Sequence, residues 1–585
     1  MADTQHSGRR HQVRAQARRR RNALPVTQDA HGLNKAGGSA RPEAGPGGLT
    51  DGDPRGLAVL MGLFTEEAVT DRTTPDPSSR VVAQRLGRIR SIPLALVAIL
   101  IAQAILSLHL VWSNTAYTDE ALYLWAGHLE WAHWLHGASI PPFPRYFSGA
   151  PAIYPPIGAI ADTIGGLAGA RILSLSFMLC ATALLWSTTS RLYGRQAGFF
   201  AAALWGFLGP TLMLGAYATF DAMSLVLVAL AAWCATAHRT QDGATGWMVA
   251  GAMALALANA AKYASGIFDP IVIMLAVLTA WPHPGGKVAL RRGALLATCL
   301  FSILYVAIRF ARSSYRTGIS QTTVARAIGS DSASTVIEHA SLWVGVIITV
   351  SCAGVVLSAV RREDRHSTVL LAGLACAALL APLEQARIHT LTALDKHADF
   401  GAWFAAIAAG YAIDKAVTKL RPVGVHIAAM AISGGIIAAA AFAGFTQAQA
   451  LFASWPNSTT FVNTLRPIVT RTRGPLLVEV SPLGEYYLPA GRQWKRWSNT
   501  YAIQLTSGAT AGYAPGHVNT AGDPAVYARF ISRGYFSIIG LNFSATPSLD
   551  HDIEMDIIRT PGYHIIGWFS YGGTLYPVWA YKDTR

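Results

Sequence analysis

Between about residue 92 and residue 445 the chain is a succession of long apolar runs separated by short polar breaks. A bilayer core of roughly 30 Å takes about 20 helical residues to cross. The runs have that length, and their approximate spans are 92–112, 167–187, 197–218, 222–238, 246–261, 264–281, 293–310, 341–360, 367–383, 400–417 and 424–445. The first begins near Ile92, too far from the N-terminus for a cleavable leader, and is expected to remain as a signal anchor. Residues 1–88 show no apolar periodicity and read as a disordered basic tail. After residue 445 the pattern changes. Leu476 to Val480 and Tyr535 to Leu541 read as strands, Pro524 to Arg533 as a helix, and Ile565 to Phe569 with Leu575 to Tyr581 as a closing strand pair. The predicted fold class is therefore an all-α polytopic membrane bundle of about eleven transmembrane helices over 89–445, with a long first outer loop over 113–166. A small extracytoplasmic α/β domain over 446–585 follows it.

Composition agrees with a bilayer protein: 52% of residues are hydrophobic and only 14% charged, too few to coat a soluble domain of 585 residues. Lys and Arg number 47 against 32 Asp and Glu. The distribution of this excess fits membrane topology and not a nucleic-acid groove. Fifteen basic residues precede position 92, and others cluster in alternate breaks: Arg191 and Arg195, Arg239, Lys287 with Arg291 and Arg292, Arg361 with Arg362 and Arg365, and Lys415, Lys419 and Arg421. The positive-inside rule then predicts a multi-pass plasma-membrane protein with a cytoplasmic N-terminus, and an odd number of spans sends 446–585 outside. All five cysteines lie in apolar runs without metal-ligand spacing, so no disulfide framework is expected and the C-terminal domain is stabilised by packing alone.

The outer breaks carry the chemistry. Asp119 and Glu120 stand where the first run ends, ahead of a segment in which Trp131 and Trp134 are three apart and Leu124, Trp131 and Leu135 recur at helical spacing, expected to lie in the membrane interface with its aromatic face down. Asp221 opens the fourth run and Lys262–Tyr263 closes the fifth, placing a carboxylate and an ammonium at one depth. Arg312, Arg316 and Arg326 follow the seventh run; Glu384, Arg387, His389, Asp395, Lys396, His397 and Asp399 crowd the break before the tenth. Cations concentrated on the face opposite the positive-inside loops call for an anion, and a bound phosphate at the outer leaflet satisfies that requirement.

In this order of parts, over roughly residues 90–445, the chain resembles the GT-C polytopic membrane glycosyltransferases, in the family 39-like branch of protein O-mannosyltransferases and lipid A aminoarabinose transferases. The resemblance rests on Asp119–Glu120 after the first span, the interfacial helix, the Tyr154-Pro155-Pro156 turn, Asp221 and Lys262–Tyr263. It implies transfer of a sugar from a polyprenyl-phosphate carrier to an extracytoplasmic hydroxyl on protein, cell-wall glycan or glycolipid, with inversion. Asp119 is the expected general base and Glu120 is expected to orient the acceptor. Lys262, Lys396 and Arg387, with Arg316 and His397, are the candidates for the carrier phosphate, and Asp221 for a cation or sugar hydroxyls. Some relatives hold a divalent metal, for which His128, His389 and His397 are the candidate ligands here, although their spacing is no ligand motif.

The rival from another class is a secondary transporter, which requires inverted repeats and ionisable groups near the bilayer midplane. No repeated halves are visible, and the acidic and basic residues gather at one membrane face, with Asp269, a turn or two into the sixth run, the exception. A passive anchor for an outer receptor module would not need eleven spans.

Overall fold

The computed structural model describes residues 94–582 except 146, 238–240, 283–284, 327, 421–425, 489–490, 492 and 501–523. The tail expected over 1–88 lies outside the described residues, as do Arg239 and Arg421.

Every apolar run falls on helix. In chain order the elements are α1 (Leu94–Val111), α2 (Thr118–His136), α3 (Tyr154–Tyr193), α4 (Arg195–Gly206), α5 (Gly209–Leu214), α6 (Phe220–Ala235) and α7 (Gln241–Ala261). A 3-10 turn (Tyr263–Phe268) leads into α8 (Asp269–Leu278), followed by α9 (Gly286–Phe310), α10 (Ser313–Thr322), α11 (Ala333–Val360), α12 (Arg365–Arg387), α13 (Leu394–Leu420) and α14 (His426–Ala453). Among the described residues, seven helices are long and apolar enough to cross a membrane: α1, α3, α7, α9, α11, α12 and α14. The other runs differ for a physical reason. The run at 197–218 breaks at Leu208–Gly209 ahead of Pro210, which suits a helix start and not an interior. The run at 264–281 starts as 3-10 helix, and α6 is short. These pieces and α13 form the centre of the bundle, where residues 200–206, 209–225 and 398–411 are buried almost without exception. Shielded from lipid by protein, they need neither full span length nor uniform apolarity. Close approach replaces bulk there: a Cβ on Gly410 would meet the Ala197 carbonyl at 2.4 Å, and one on Gly401 the Ala377 carbonyl at 2.4 Å.

Two expectations for the first outer loop are corrected. Tyr154-Pro155-Pro156 is the first turn of α3 and not a return turn; prolines in a first turn lack only N–H groups that a helix start leaves unpaired anyway. The span expected at 167–187 begins just past a kink at Gly165–Gly166, where Gly166 takes φ +61°. In α2 the expected interfacial face is only partly free: Trp134 and Leu135 are exposed, but Leu124 is fully buried and Trp131 Nε1 donates to the Pro156 carbonyl at 2.9 Å.

The basic breaks meet at one end of the bundle. Arg292 Nη2 donates to the Ala235 carbonyl, Arg191 stacks on Trp233, Trp281 meets His366 and Tyr193 meets Tyr411. The acidic breaks meet at the other.

After α14 come α15 (Thr459–Arg471), β1 (Leu476–Val478), α16 (Ser481–Tyr487), β2 (Trp497–Ser498), α17 (Pro524–Ser532), β3 (Ile538–Gly540), α18 (Pro547–Arg559), β4 (Tyr563–Tyr571) and β5 (Thr574–Tyr581). They form one sheet of order β2-β1-β3-β5-β4, parallel through β2-β1-β3 and antiparallel through β3-β5-β4. One face packs on α15 through Phe461, Leu465, Val478 and Phe569; the other packs on α17 and α18 through Tyr527, Ile531, Ile539 and Ile553.

Candidate active site

The acidic end is organised around a residue to which the sequence assigned no role. Arg171 on α3 is fully buried and gives its guanidinium to five acceptors. Nε and Nη2 form a fork on Glu120 (2.8 and 2.7 Å), Nη1 reaches the carbonyls of Val111 and Asn114, and Nη2 also reaches that of Thr115. Glu120, equally buried, accepts the N–H of Tyr117 (2.9 Å) and of Ala218 (2.8 Å). This single pair therefore ties the end of α1, the start of α2 and the segment before α6 into one unit. Glu120 has no oxygen left to orient an acceptor. Its place is beneath the site, where it fixes the neighbouring Asp119 and the approach to Asp221.

Asp119 points away from that pair and keeps about a third of its side chain exposed (34%). Its Oδ2 accepts from Lys396 Nζ at 2.9 Å, and the same ammonium lies 5.3 Å from the ring centre of Tyr217. Asp221 and Lys262 form a second, fully buried ion pair, with Thr219 Oγ1 donating to the other Asp221 oxygen at 2.9 Å. The four charges alternate, since Lys396 is also attracted to Asp221. Burial of each carboxylate is thus matched by a cation. The negative charge of Asp119 and its own burial raise the pKa of the Tyr117 phenol, keeping it neutral beside the carboxylate.

Beyond Lys262 opens a cavity of ≈ 520 Å³. Its lining includes Lys262, Tyr263, Arg326, Glu384, Gln385, Arg387 and His397 together with the apolar Ile267, Phe268, Ala381 and Phe400. Four sequence candidates, Lys262, Tyr263, Arg387 and His397, therefore line one cavity. Lys396 does not line it; it sits on Asp119. Arg316 is exposed on α10 and also lies off the cavity, whereas Arg326 lies on it. Burial lowers the pKa of Arg326, and the Glu384 charge opposes that shift. Arg387 is held by Glu384 in a bidentate pair at 2.7 and 2.8 Å. Asp269 opens α8 and accepts from Asn259 Nδ2 at 2.8 Å.

The histidines proposed as metal ligands go to separate partners: His128 to Asp162 at 2.7 Å, His389 to the Asp331 carbonyl, and His397 to Gln385. Among the described residues no three His, Cys, Asp or Glu side chains gather as a metal site.

The C-terminal domain roofs this end. The Ala116 N–H donates to Tyr487 Oη at 2.8 Å, Tyr486 Oη donates to Asp162 at 2.5 Å, and Trp125 Nε1 donates to the Gly491 carbonyl at 2.9 Å. Trp455 Nε1 donates to the Thr115 carbonyl, and its ring meets Tyr117 at 5.3 Å.

Known proteins share part of this chain's sequence pattern and its fold. Residues 160–308 match the family described as dolichyl-phosphate-mannose-protein mannosyltransferase. No curated protein sequence matches the chain. The fold is similar to that of ArnT from Cupriavidus metallidurans, in the apo state (14% identity, TM-score 0.54, covering 84% of this chain and 98% of that one) and bound to undecaprenyl phosphate (15% identity, TM-score 0.54, 87% and 99%). It is also similar to the archaeal oligosaccharyltransferase AglB from Archaeoglobus fulgidus, solved with an inhibitory peptide and a dolichol-phosphate (13% identity, TM-score 0.51, 82% and 74%). The chain is thus similar by sequence to that mannosyltransferase family over residues 160–308, and over most of its length it shares the GT-C fold of ArnT and AglB, with a charged end beneath an α/β roof.

Proposed function

We propose that the protein transfers a sugar from a polyprenyl-phosphate carrier to an extracytoplasmic hydroxyl acceptor, with inversion and with Asp119 as general base. The carrying observation is that a part-exposed carboxylate and a mainly apolar cavity with cations on its lining adjoin at one end of the bundle, joined by the Asp119–Lys396 and Asp221–Lys262 pairs. Solved neighbours that hold undecaprenyl phosphate and dolichol-phosphate support a carrier of that chemistry.

In this reading the carrier phosphate lies against Lys262, Arg326, Arg387 and His397, and its first isoprene units against Phe268 and Phe400. The acceptor oxygen attacks the anomeric carbon as Asp119 takes its proton. The bond from that carbon to the phosphate oxygen breaks, and the phosphate leaves with the electron pair. Its charge is met by fixed cations, so no acid is needed to protonate it. Lys396 holds Asp119 in place, a role its position suits better than phosphate binding. The acidic end and its roof face outside, in keeping with the basic breaks at the opposite end. A divalent metal is no part of this scheme, because the candidate histidines do not converge.

The test is incubation of the purified protein with a panel of polyprenyl-phosphate sugars, scoring which is consumed. One member should be turned over, and carrier phosphate released in step with it. Consumption of none, or undiminished consumption by Asp119→Asn, overturns the proposal.

A further inference from the structure

We propose that the β4–β5 hairpin of the C-terminal domain is a membrane-seating element whose tip rests in the headgroup region of the bilayer. The turn joining the strands is Tyr571-Gly572-Gly573-Thr574, with Gly572 at φ +61° and Gly573 at +83°. Two consecutive positive φ values make the tight turn that matches strand twist, and glycine supplies both without strain. This tip lies beside the point where α14 ends. A Cβ on Gly572 would sit 3.5 Å from Pro456 Cγ, three residues past Ala453. The depth of that point is fixed independently by α1: Asn114 Nδ2 donates to the carbonyls of Phe452 and Trp455, and the neighbouring Trp112 is 66% exposed at the end of its span, as interfacial tryptophans are.

The two faces of the hairpin differ. Phe569 and Val578 are buried under α15, and at the end away from the turn Trp579 packs against the core beneath α17 and α18. Toward the turn, no described element covers that second face: Trp568 is 54% exposed, Leu575 64%, and Ile566 at the bulge 39%. Large apolar side chains left bare on the half of a hairpin that reaches the bilayer point to lipid as what covers them. The effect would be to hold the roof at a fixed height over the active site while its other contacts open for an acceptor.

The experiment uses the full-length protein in phosphatidylcholine nanodiscs, with its native cysteines replaced and a bimane fluorophore attached at Trp568→Cys, Leu575→Cys or, as a control on the exposed side of α18, Asp552→Cys. Lipids spin-labelled near the headgroup should quench the first two and spare the third, and aqueous iodide should do the reverse. Trp568→Glu combined with Leu575→Glu should lower turnover of a long-chain carrier in nanodiscs while sparing a short, water-soluble donor. Iodide quenching at 568 and 575 equal to that at 552, or protection that appears only when a second protein is added, overturns the proposal. The quenching readout requires no turnover, so it stands apart from the fate of the proposed reaction.

Discussion

Asp119 and Lys396 define the chemistry at the scale of single side chains. Positioned general bases contribute typically 10²- to 10⁴-fold, so Asp119→Asn is expected to lower kcat by about that factor while expression and membrane insertion stay normal. The cations divide into two groups, and kinetics should separate them. Arg326 lines the cavity, so Arg326→Met should raise the donor Kd by roughly tenfold or more, the loss of one charge-assisted hydrogen bond of about 1.5–3 kcal/mol. Lys396 lies on Asp119, so Lys396→Met should lower kcat and change donor Kd little. Equilibrium binding of a labelled donor beside single-turnover rates measures both. Much of this set was legible in the sequence, because ionisable residues at the ends of apolar runs are conspicuous. Which cation meets which anion was not legible, since Asp119 and Lys396 are far apart in the chain and only the folded bundle brings them together.

At the scale of elements, the buried Arg171–Glu120 pair joins α1, α2, α3 and the approach to α6. Removing one member of such a pair strands the other, at a cost of about 3–5 kcal/mol. Arg171→Met should therefore lower the thermal midpoint and the activity together. Arg171→Lys, which keeps the charge but loses the planar fork, should recover stability only in part. An arginine early in a long apolar run looks like an interfacial cation, and nothing in its spacing announces five acceptors around a buried guanidinium. The broken run at 197–218 misled for a related reason: apolar composition is shared by helices facing lipid and helices sealed inside protein. In the roof, the helix at 524–533 and the closing strand pair emerged close to their expected limits and the strands at 476–480 and 535–541 shortened to three residues each, whereas α15, α16 and α18 were hidden by polar faces. A pH effect belongs to this domain. Burial and the charge of Glu479 push the Asp550 carboxyl up to about 8, from an ordinary value of 3.8. Between about pH 4 and 8 the folded form keeps a proton that the unfolded chain has released, so stability falls as pH rises, by at most about 1.4 kcal/mol per unit. Calorimetry at pH 5 and pH 8 should show the domain melting lower at pH 8, and Asp550→Asn should flatten the difference.

The whole molecule is polarised, with basic clusters at one end and the ion-paired site with its α/β roof at the other. Hydropathy and charge order were enough to reach the bundle, its two unlike ends and the presence of the roof, because these depend on sums over many residues. The cavity was not reachable in that way, since its walls come from the 3-10 turn, the segment after α10, α12 and α13. Sidedness can be checked in intact cells. A membrane-impermeant maleimide should label Asp552→Cys without lysis and Lys287→Cys only after it.

The most direct measurement is carrier release by the purified protein in nanodiscs, followed with a polyprenyl-phosphate sugar and an acceptor alcohol, for the unaltered chain and for Asp119→Asn. Release that requires both the phosphate-linked donor and the Asp119 carboxylate is the expected result. Equal turnover by the two proteins, or none with any donor of this class, would contradict a carboxylate-assisted transfer at this end of the bundle.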